Sequence, residues 1–249
     1  MKISAVVLTK NEEGNIERCL KSLDFCDEIV IVDDYSSDKT LDKVRNNQKI
    51  KIFQRQLNND FASQRNFGLS KANNNWVLFI DADEEISPKL KLEIKNLNFE
   101  REAYYLKRRD YFWNQELKYG EVKKVRQIGL IRLVRKNSGK WMGNVHEVFY
   151  TAKNTSRMNN FINHYPHPTL KEFIIDVNCY SNIRAEELYN QDTKTNVLQI
   201  IFFPFLKFTY NYFFNLGFLD GPAGFTYAFM MSFHSFLVRA KLYQLTNKR

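Results

Sequence analysis

The sequence predicts a protein of the α/β class, in which a Rossmann-like, mostly parallel sheet is followed by a C-terminal amphipathic, aromatic-rich helical extension. Two observations predict the sheet: short apolar runs alternate with amphipathic segments, and the connections between them are short. A change of composition predicts the extension, because Phe and Tyr crowd residues 198–243. We expect residues 1–165 to form the main domain and residues 166–249 to form the extension.

Four strands with intervening helices are predicted within the first hundred residues. The predicted strands are ISAVVLT (3–9), EIVIVDD (28–34), KIKIFQRQ (49–56) and WVLFI (76–80). The third alternates in polarity, which indicates a place near a sheet edge. IERCLKSL and FASQRNFGLSKA predict helices, and a helix capped by Ser36, Ser37 or Asp38 should carry Leu41 and Val44 inward.

Polar side chains follow three of these strands at the point where each strand ends. They are Thr9, Asn11, Asp33, Asp34, Asp81 and Asp83. In a doubly wound sheet, ligands bind beyond the carboxyl ends of the strands. One Asp after a strand is most often a helix cap, but paired carboxylates at two strand ends favour a ligand site.

The kind of ligand is narrowed by two motifs that are absent and one that is present. Neither GxGxxG after the first strand nor GxxxxGK[ST] occurs, which disfavours dinucleotide cofactors and a P-loop. The Asp81-x-Asp83 pair suits Mg²⁺ or Mn²⁺, which take oxygen ligands and leave positions for substrate phosphates. A metal ion there would neutralise a diphosphate that the acids alone would repel.

The net charge and the cysteine content limit the classes of partner and the cellular compartment that we expect. A net charge of +9 and a pI of about 9.3 suit nucleic acid, an anionic membrane surface or phosphorylated substrates. Three cysteines without a CxxC pair argue against a disulfide framework or a zinc site and suit a reducing cytoplasm. The opening MKISAVVLTKNEE has too short an apolar run for a signal peptide, so we expect a cytoplasmic protein.

Four stretches together resemble family 2 glycosyltransferases of the GT-A fold. They are AVVLTKNEEGNIERCLKSL, EIVIVDDYSSDKT, QRNFGLSKANNNWVLFIDADEEIS and LIRLVRKNSGKWMGNVHE, in the expected order over the N-terminal two-thirds of the chain. The subgroup that it most resembles comprises bacterial glucosyltransferases of the lipopolysaccharide inner core, which have a similar VHE segment and a tail motif similar to GFLDGPAGF. One departure is Tyr35, which stands where many members have the glycine of DxGSxDxT.

The resemblance implies a role for each residue at the donor side. Residues 1–100 would be the nucleotide-sugar half and residues 101–165 the acceptor half. Thr9, Asn11, Glu13, Asp33, Arg65 and Asp81 would bind the nucleotide sugar, and Asp83 would be the main ligand of Mn²⁺ or Mg²⁺. Asn66 is either part of this site or a buried helix residue that satisfies backbone groups.

The basic middle segment supplies the expected acceptor side. In the glycosyltransferase interpretation its cations meet a phosphorylated or acidic sugar and its aromatic rings pack on sugar C–H faces; the alternative is a solvated basic face. The expected acceptor residues are Arg108, Arg109, Trp113 and Arg132. Inverting transfer needs a base, and the candidates at the family's position are Glu147, first, and His146.

The tail is expected to lie on an anionic membrane without crossing it. Lys207, Asn211, Asn215 and Asp220 interrupt its apolar runs, which disfavours one spanning helix. Two amphipathic helices joined around residues 217–224 should place Lys207, Arg239, Lys241, Lys248 and Arg249 against anionic lipid. The alternative is a helical pair packed on the sheet or on a second subunit of a homo-oligomer. His164 and His167 are expected to be ordinary loop histidines rather than a metal pair.

Together with these observations, the resemblance implies an inverting, metal-dependent transfer of glucose from UDP-glucose to a lipopolysaccharide-core or lipid-linked acceptor, at the inner face of the cell membrane and without a nucleic-acid partner. Two alternatives remain at this point. A phosphohydrolase of the haloacid dehalogenase type also uses a DxD, but it requires DxDx[TS], and ADEE follows Asp81. A basic nucleic-acid- or membrane-binding module without catalysis would leave the acids at the strand ends unexplained.

Overall fold

The computed structural model describes residues 1–44, 47–143, 147–151 and 154–247, and the chain divides into two compact units, Met1–Arg109 with Val125–His164 and Asp110–Lys124 with Tyr165–Arg249. The strands are β1 Ile3–Thr9, β2 Glu28–Asp33, β3 Ile50–Gln54, β4 Trp76–Asp81, β5 Glu84–Ile86, β6 Ala103–Phe112, β7 Gln115–Leu117, β8 Leu130–Arg135, β9 Gly139–Met142, β10 Val148–Thr151 and β11 Thr155–His164. The helices are α1 Ile16–Ser22, α2 Phe61–Lys71, α3 Pro88–Lys95, α4 Lys123–Ile128, α5 Leu170–Asn190, α6 Val197–Thr209 and α7 Gly221–Thr246.

The first unit is built on a mixed sheet with the strand order β3-β2-β1-β4-β8-β6-β11-β5. The four strands predicted from the sequence pair in parallel, with β1 between β2 and β4 and β3 outside β2, so the parallel half of the sheet is confirmed. Antiparallel pairing extends the sheet from β4 through β8 to β6. A separate antiparallel hairpin joins β9 to β10.

Strand β1 is apolar throughout because both faces of the sheet are covered at this strand. Ala5 and Val7 pack into one core cluster with residues of α1 and α3. Val6 and Leu8 face the opposite cluster, which includes residues of α2 and Trp141. A central parallel strand buried on both sides reads as a continuous hydrophobic run rather than an alternating one.

Gly68 lets α2 approach the sheet closely. A Cβ atom at this position would lie 2.4 Å from Cγ1 of Val6, a distance that no side chain tolerates without movement. The close packing fixes the position of the helix against β1. Arg65 and Asn66, on the same helix, are therefore held at the carboxyl edge of the sheet.

The segment after β2 differs from the predicted helix. Residues 38–44 form turns, although Val44 is buried and Leu41 is partly buried against the core as expected. Asp38 accepts hydrogen bonds from the backbone N–H groups of Glu13 and Thr40 instead of capping a helix. These bonds tie the loop after β2 to the loop after β1, which supplies local order without helical backbone bonds.

The second unit contains α5, α6 and α7, and its helices confirm the predicted pair around residues 217–224. A capping box between Thr169 and Glu172 starts α5. Helix α6 continues into a π-helical stretch, Tyr210–Phe214, and a 3₁₀ turn, Gly217–Asp220, leads into α7. Gly224, in the stretch GFLDGPAGF, allows the start of α7 to pack closely on the 3₁₀ turn, since a Cβ there would lie 2.1 Å from the carbonyl oxygen of Gly217.

Helix α6 and its π-helical continuation expose much apolar surface. Within the described part of the chain, this one helical stretch, Val197–Phe214, is long and apolar enough to cross a membrane by length and composition. Lys207 and Asn211, which were expected to interrupt the apolar surface, both bind the carboxylate of Glu121, at 2.8 and 2.6 Å. Their polar groups therefore contact a side chain of the second unit, while Phe205, for example, remains 65% exposed.

Candidate active site

The first acid of the predicted Asp-x-Asp pair is held by two arginines. Asp81 ends β4, and its carboxylate accepts hydrogen bonds from Nη2 of Arg65 at 3.0 Å and from Nη2 of Arg132 at 2.8 Å. Burial alone would raise the pKa of Asp81, but the two guanidinium groups outweigh it and hold that pKa well below its usual range. Asp81 is thus an ionised carboxylate fixed at the edge of the sheet.

Glu84 is the buried partner of this arrangement. Its carboxylate accepts a hydrogen bond from the backbone N–H of Asp81 at 3.0 Å, and Arg132 lies 3.2 Å away. Burial raises the pKa of Glu84, and Arg132 offsets only part of that effect. Burial alone would lower the pKa of Arg132, but the negative charges of Asp81 and Glu84 outweigh burial and raise that pKa.

Arg65 joins the predicted nucleotide side to the predicted base. Its Nε donates to Oε1 of Glu147 at 2.7 Å, while its Nη2 binds Asp81. The guanidinium carbon also lies 5.0 Å from the centre of the Trp141 ring. Glu147 is 82 residues from Arg65 in the chain and is mostly buried, with 13% of its side chain exposed. The DxD strand and the segment that contains Glu147 therefore meet at one guanidinium group.

The second acid of the pair has a histidine beside it. Oδ2 of Asp83 lies 3.2 Å from Nε2 of His164, the last residue of β11. This contact follows from the antiparallel pairing of β11 with β5, which sets His164 opposite Glu84. Burial would raise the pKa of Asp83, but the charge and hydrogen bond of His164 prevail and lower it. His164 was expected to be an ordinary loop residue, so its strand position beside Asp83 is a correction.

A carboxylate and an imidazole at this distance are compatible with a hard divalent ion that takes its other ligands from substrate oxygens. No cluster of three or more His, Cys, Asp or Glu side chains suited to a metal ion occurs among the described residues. Asp81 is not a third donor in this arrangement, because its carboxylate is bound by two arginines. Among the described residues, Asp83 and His164 are therefore the side chains at this edge that could hold a metal ion.

The expected nucleotide residues at and after the ends of β1 and β2 mostly bind the loop after β2. The side-chain oxygen of Asn11 accepts from the backbone N–H of Ser37, and Glu13 accepts from that of Lys39. Asp33 is fully buried, and its carboxylate accepts both the backbone N–H and the hydroxyl group of Ser36. Thr9 also lies at this edge, where its hydroxyl oxygen is buried and has no hydrogen-bond partner among the described residues.

Tyr35 explains why a glycine is common at its position. Its φ angle is 52°, in the left-handed region where a Cβ atom is strained and glycine is favoured. The tyrosine therefore takes the backbone conformation that the glycine would take, and its ring is exposed.

The four expected acceptor residues occupy different surroundings. Arg132 is buried and bound to Asp81 and Glu84, so it supports the acids rather than facing solvent. Nη1 of Arg108 lies 3.6 Å from Oε1 of Glu84. Trp113, in the second unit, is half exposed and stacks on Phe112.

Arg109 belongs to a cationic group around Phe161, a residue that the sequence did not single out. The Arg109 guanidinium lies 4.2 Å from the centre of that ring, and Arg126 and Lys107 lie 5.3 and 5.9 Å from it. The backbone pairing of Leu106 with Leu130, in the strand that contains Arg132, places Lys107 and Arg109 at the same edge of the sheet as Asp81. His146, the second candidate base, lies outside the described residues.

Comparisons with known proteins show which family the chain resembles. The profile of the family described as Glycosyl transferase family 2 matches residues 4–162. The lipopolysaccharide core biosynthesis glycosyltransferase LpsC of Rhizobium meliloti is 29% identical over 256 residues, covering 98% of this chain and 93% of LpsC. An uncharacterized glycosyltransferase of Rickettsia typhi, RT0209, is 27% identical over 266 residues, covering 99% of this chain and 88% of its own length.

Among solved structures, S. aureus TarS 1-349 in complex with UDP-GlcNAc aligns with 97% of this chain and 83% of that chain, at a TM-score of 0.52 and 18% identity. This likeness bears on the fold and supports the GT-A architecture predicted from the sequence. The family match covers more than half of the chain and includes nearly all of β1, the DxD strand and most of the expected acceptor half. The chain belongs to glycosyl transferase family 2.

Proposed function

We propose that this glycosyltransferase moves glucose from UDP-glucose, with inversion, to a lipopolysaccharide-core or lipid-linked glycan at the inner face of the cell membrane. The acceptor class is supported by the likeness to LpsC along nearly the whole of both chains. The donor class is supported by the UDP-GlcNAc bound to TarS. Membership of the family sets aside both a phosphohydrolase and a binding module without catalysis.

One contact carries the proposal: the bridge that Arg65 makes between Asp81 and Glu147. It brings the expected donor residue and the expected base to one end of the sheet. In the proposed reaction, Glu147 takes the proton of the acceptor hydroxyl while the oxygen of that hydroxyl attacks the anomeric carbon. UDP leaves from the opposite side of the sugar, so the anomeric configuration inverts.

Unpartnered polar atoms support a donor phosphate at this end. Nη1 of Arg65, Nε and Nη1 of Arg132 and the hydroxyl of Thr9 are buried without a hydrogen-bond partner among the described residues. Buried donors without partners are costly, and each such group in a native structure calls for an explanation. The oxygens of a diphosphate would accept from them, since arginine N–H groups match phosphate geometry.

The proposed metal ligands are Asp83 and His164. A bound Mn²⁺ or Mg²⁺ would supply positive charge to the diphosphate and so favour its departure. Arg65 and Arg132 add fixed cationic charge at the same end of the sheet, because both bind Asp81. Asp81 then acts as the anchor of these two arginines.

The proposed acceptor side includes Arg109 and its neighbours around Phe161. Three cations lie within 6 Å of the centre of that ring. Stacking on an aromatic face holds a guanidinium in place. Such a group suits a sugar that bears a phosphate or carboxylate, the kind of acceptor expected from the basic middle segment.

The proposed membrane contact uses the exposed apolar face of α6. Three of the cations expected to meet lipid have partners inside the second unit: Lys207 binds Glu121, Arg239 lies over Phe203, and Lys241 binds Asn178. Lys248 and Arg249 lie outside the described residues. We therefore attribute the proposed attachment chiefly to apolar side chains, which become buried in a membrane or in a subunit interface.

Release of UDP from UDP-glucose tests the function. The protein should release UDP when Mn²⁺ and an acceptor extract containing lipopolysaccharide core or lipid-linked glycans are both present. Omitting the extract or chelating the metal should reduce the rate to that of slow hydrolysis. Release that is unaffected by both omissions would contradict the proposal, as would the absence of release under every condition.

A further inference from the structure

Two adjacent residues of α2 hold the two ends of the segment that contains the proposed base. Arg65 binds Glu147, and Asn66 binds the backbone of Trp141. Trp141 lies in β9, just before the connection that leads to Glu147 and then to β10. Trp141 and Glu147 are therefore both held by the same turn of α2.

The attachment at Trp141 is a two-bond amide clip. Nδ2 of Asn66 donates to the Trp141 carbonyl oxygen at 2.9 Å, and the Trp141 N–H donates to Oδ1 of Asn66 at 2.9 Å. The asparagine side chain thus pairs with the strand as a neighbouring strand would. These two bonds run in opposite directions and fix the position of Trp141 along α2. To make both, a side chain needs a donor and an acceptor side by side, as the amide of asparagine has.

Aromatic packing strengthens the same attachment. The Trp141 ring packs edge-on against Phe79 at 5.0 Å and Phe149 at 5.6 Å, and the Arg65 guanidinium lies 5.0 Å from its centre. Phe79 lies in β4, and Phe149 pairs with Trp141 across the hairpin. Through Trp141, the β9–β10 hairpin therefore packs against both the DxD strand β4 and helix α2.

From these contacts we infer that Asn66 is a positioning residue for Glu147. The inference rests on the proposed role of Glu147 as the base. Asn66 sets where β9 lies along α2. Strand β10 pairs with β9 and begins at the residue after Glu147, whose carboxylate accepts from Arg65, one residue away from Asn66 on the helix. A general base contributes only when it reaches the proton that it abstracts, and a displacement of about 1 Å can cost roughly 10²-fold in rate.

The matched control is Gln64, two residues before Asn66 on α2. Its buried amide makes an equivalent two-bond clip, accepting from Nη1 of Arg55 at 2.6 Å and donating to the Arg55 carbonyl oxygen at 2.7 Å. That clip fastens α2 to the segment after β3 and not to the β9–β10 hairpin. Asn66→Ala and Gln64→Ala should therefore lower the Tm to a similar extent while affecting the reaction differently.

The test is a kinetic double-mutant cycle between Asn66 and Glu147, with UDP-glucose as donor and the core-glycan extract as acceptor. Asn66→Ala should lower kcat by roughly 10²-fold with little change in the KM of UDP-glucose, whereas Gln64→Ala should retain kcat. Asn66→Asp, which keeps the acceptor half of the clip, should be intermediate. In the Glu147→Gln background Asn66→Ala should have almost no further effect, because residues that act through one group are not additive.

Independent losses from Asn66→Ala and Glu147→Gln would overturn the inference, and so would a loss in Gln64→Ala equal to that in Asn66→Ala. A wild-type rate in Glu147→Gln would instead overturn the base assignment. A crystal structure of Asn66→Ala gives a readout that does not need activity. The inference expects the Glu147 carboxylate to move away from Nε of Arg65, and an unchanged contact would contradict it.

Discussion

At the scale of single residues, Asp83 tests the proposed metal site. Asp83→Asn keeps the shape of the side chain but removes the charge that would hold a divalent ion beside His164. The Mn²⁺ concentration for half-maximal UDP release should rise at least about tenfold, and Mn²⁺ should no longer strengthen UDP binding in calorimetry. Asp24→Asn, which removes an acid paired with Lys91 on the surface, is the control. Unchanged metal dependence in Asp83→Asn would leave Asp83 with a structural role.

Glu147 tests the proposed chemistry. Glu147→Gln can still accept a hydrogen bond from Arg65 but cannot take a proton at neutral pH. Donor binding should stay within about twofold of wild type, while kcat falls by about 10²–10⁴-fold, because only an interaction made in the transition state is lost. Calorimetry with UDP and steady-state UDP release provide the two measurements. Near-normal turnover would move the role of base to another residue.

The sequence could predict some of the residues that meet at this edge of the sheet and only part of what they bind. Asp81, Asp83 and Arg65 are marked by strand ends and by the QRN stretch. His164 is not marked, because its place beside Asp83 depends on an antiparallel pairing between β5 and β11, far apart in the chain. Arg132 looked like an exposed acceptor residue, since a basic strand gives no sign that one of its cations is buried against two acids.

At the scale of secondary-structure elements, Gly68 tests the packing of α2 on β1. Gly68→Ala improves helix propensity, yet its methyl group would meet Val6 at 2.4 Å. Overpacking of a core typically costs about 1–3 kcal/mol, so the free energy of unfolding in urea should fall by that amount. Gly14→Ala, at a position with nothing within 4 Å of the added Cβ, is the control and should change little. A stabilised Gly68→Ala would show that α2 can move outward freely.

The elements differ in how far local sequence determines them. Strands β1, β2 and β4 were predictable because burial on both faces makes each one a short apolar run bounded by polar turns, whereas the edge strand β3 was predictable from its alternating polarity. The residues after β2 have helix-capping side chains, but Asp38 uses its carboxylate to bind the loop after β1, so turns form instead. Nor does the sequence show that residues 110–124 belong with the C-terminal helices, since that grouping arises from contacts such as those of Asp220 with the backbone of Lys118 and Tyr119.

At the scale of the whole molecule, the exposed face of α6 tests the proposed membrane attachment. Phe202→Glu with Phe205→Glu should reduce sedimentation with anionic liposomes by more than tenfold, since burying each Phe is worth about 1.5–3 kcal/mol. Asn182→Glu, an exposed position on α5, adds charge to the same unit and should bind like the wild type. Point substitutions are preferable to truncation at residue 197, because α7 contributes Met230 and Val238 to the core of this unit.

The competing explanation for this face is a second copy of the chain. If the double variant binds liposomes normally but changes from dimer to monomer in sedimentation velocity, the apolar face is a subunit interface. Loss of liposome binding without a change of mass supports the membrane. The two outcomes are distinguishable because the same substitutions are read in the presence and in the absence of lipid.

The configuration of the transferred sugar tests the central claim most directly. Wild-type protein, UDP-α-D-glucose, Mn²⁺ and the core-glycan acceptor should give a product whose new anomeric centre is read by proton NMR. Direct attack by an acceptor oxygen activated by Glu147 predicts a β-linked glucose, and this product should vanish in Glu147→Gln. An α-linked product, or free glucose as the sole product, would contradict inverting transfer at the Asp81–Arg65–Glu147 site.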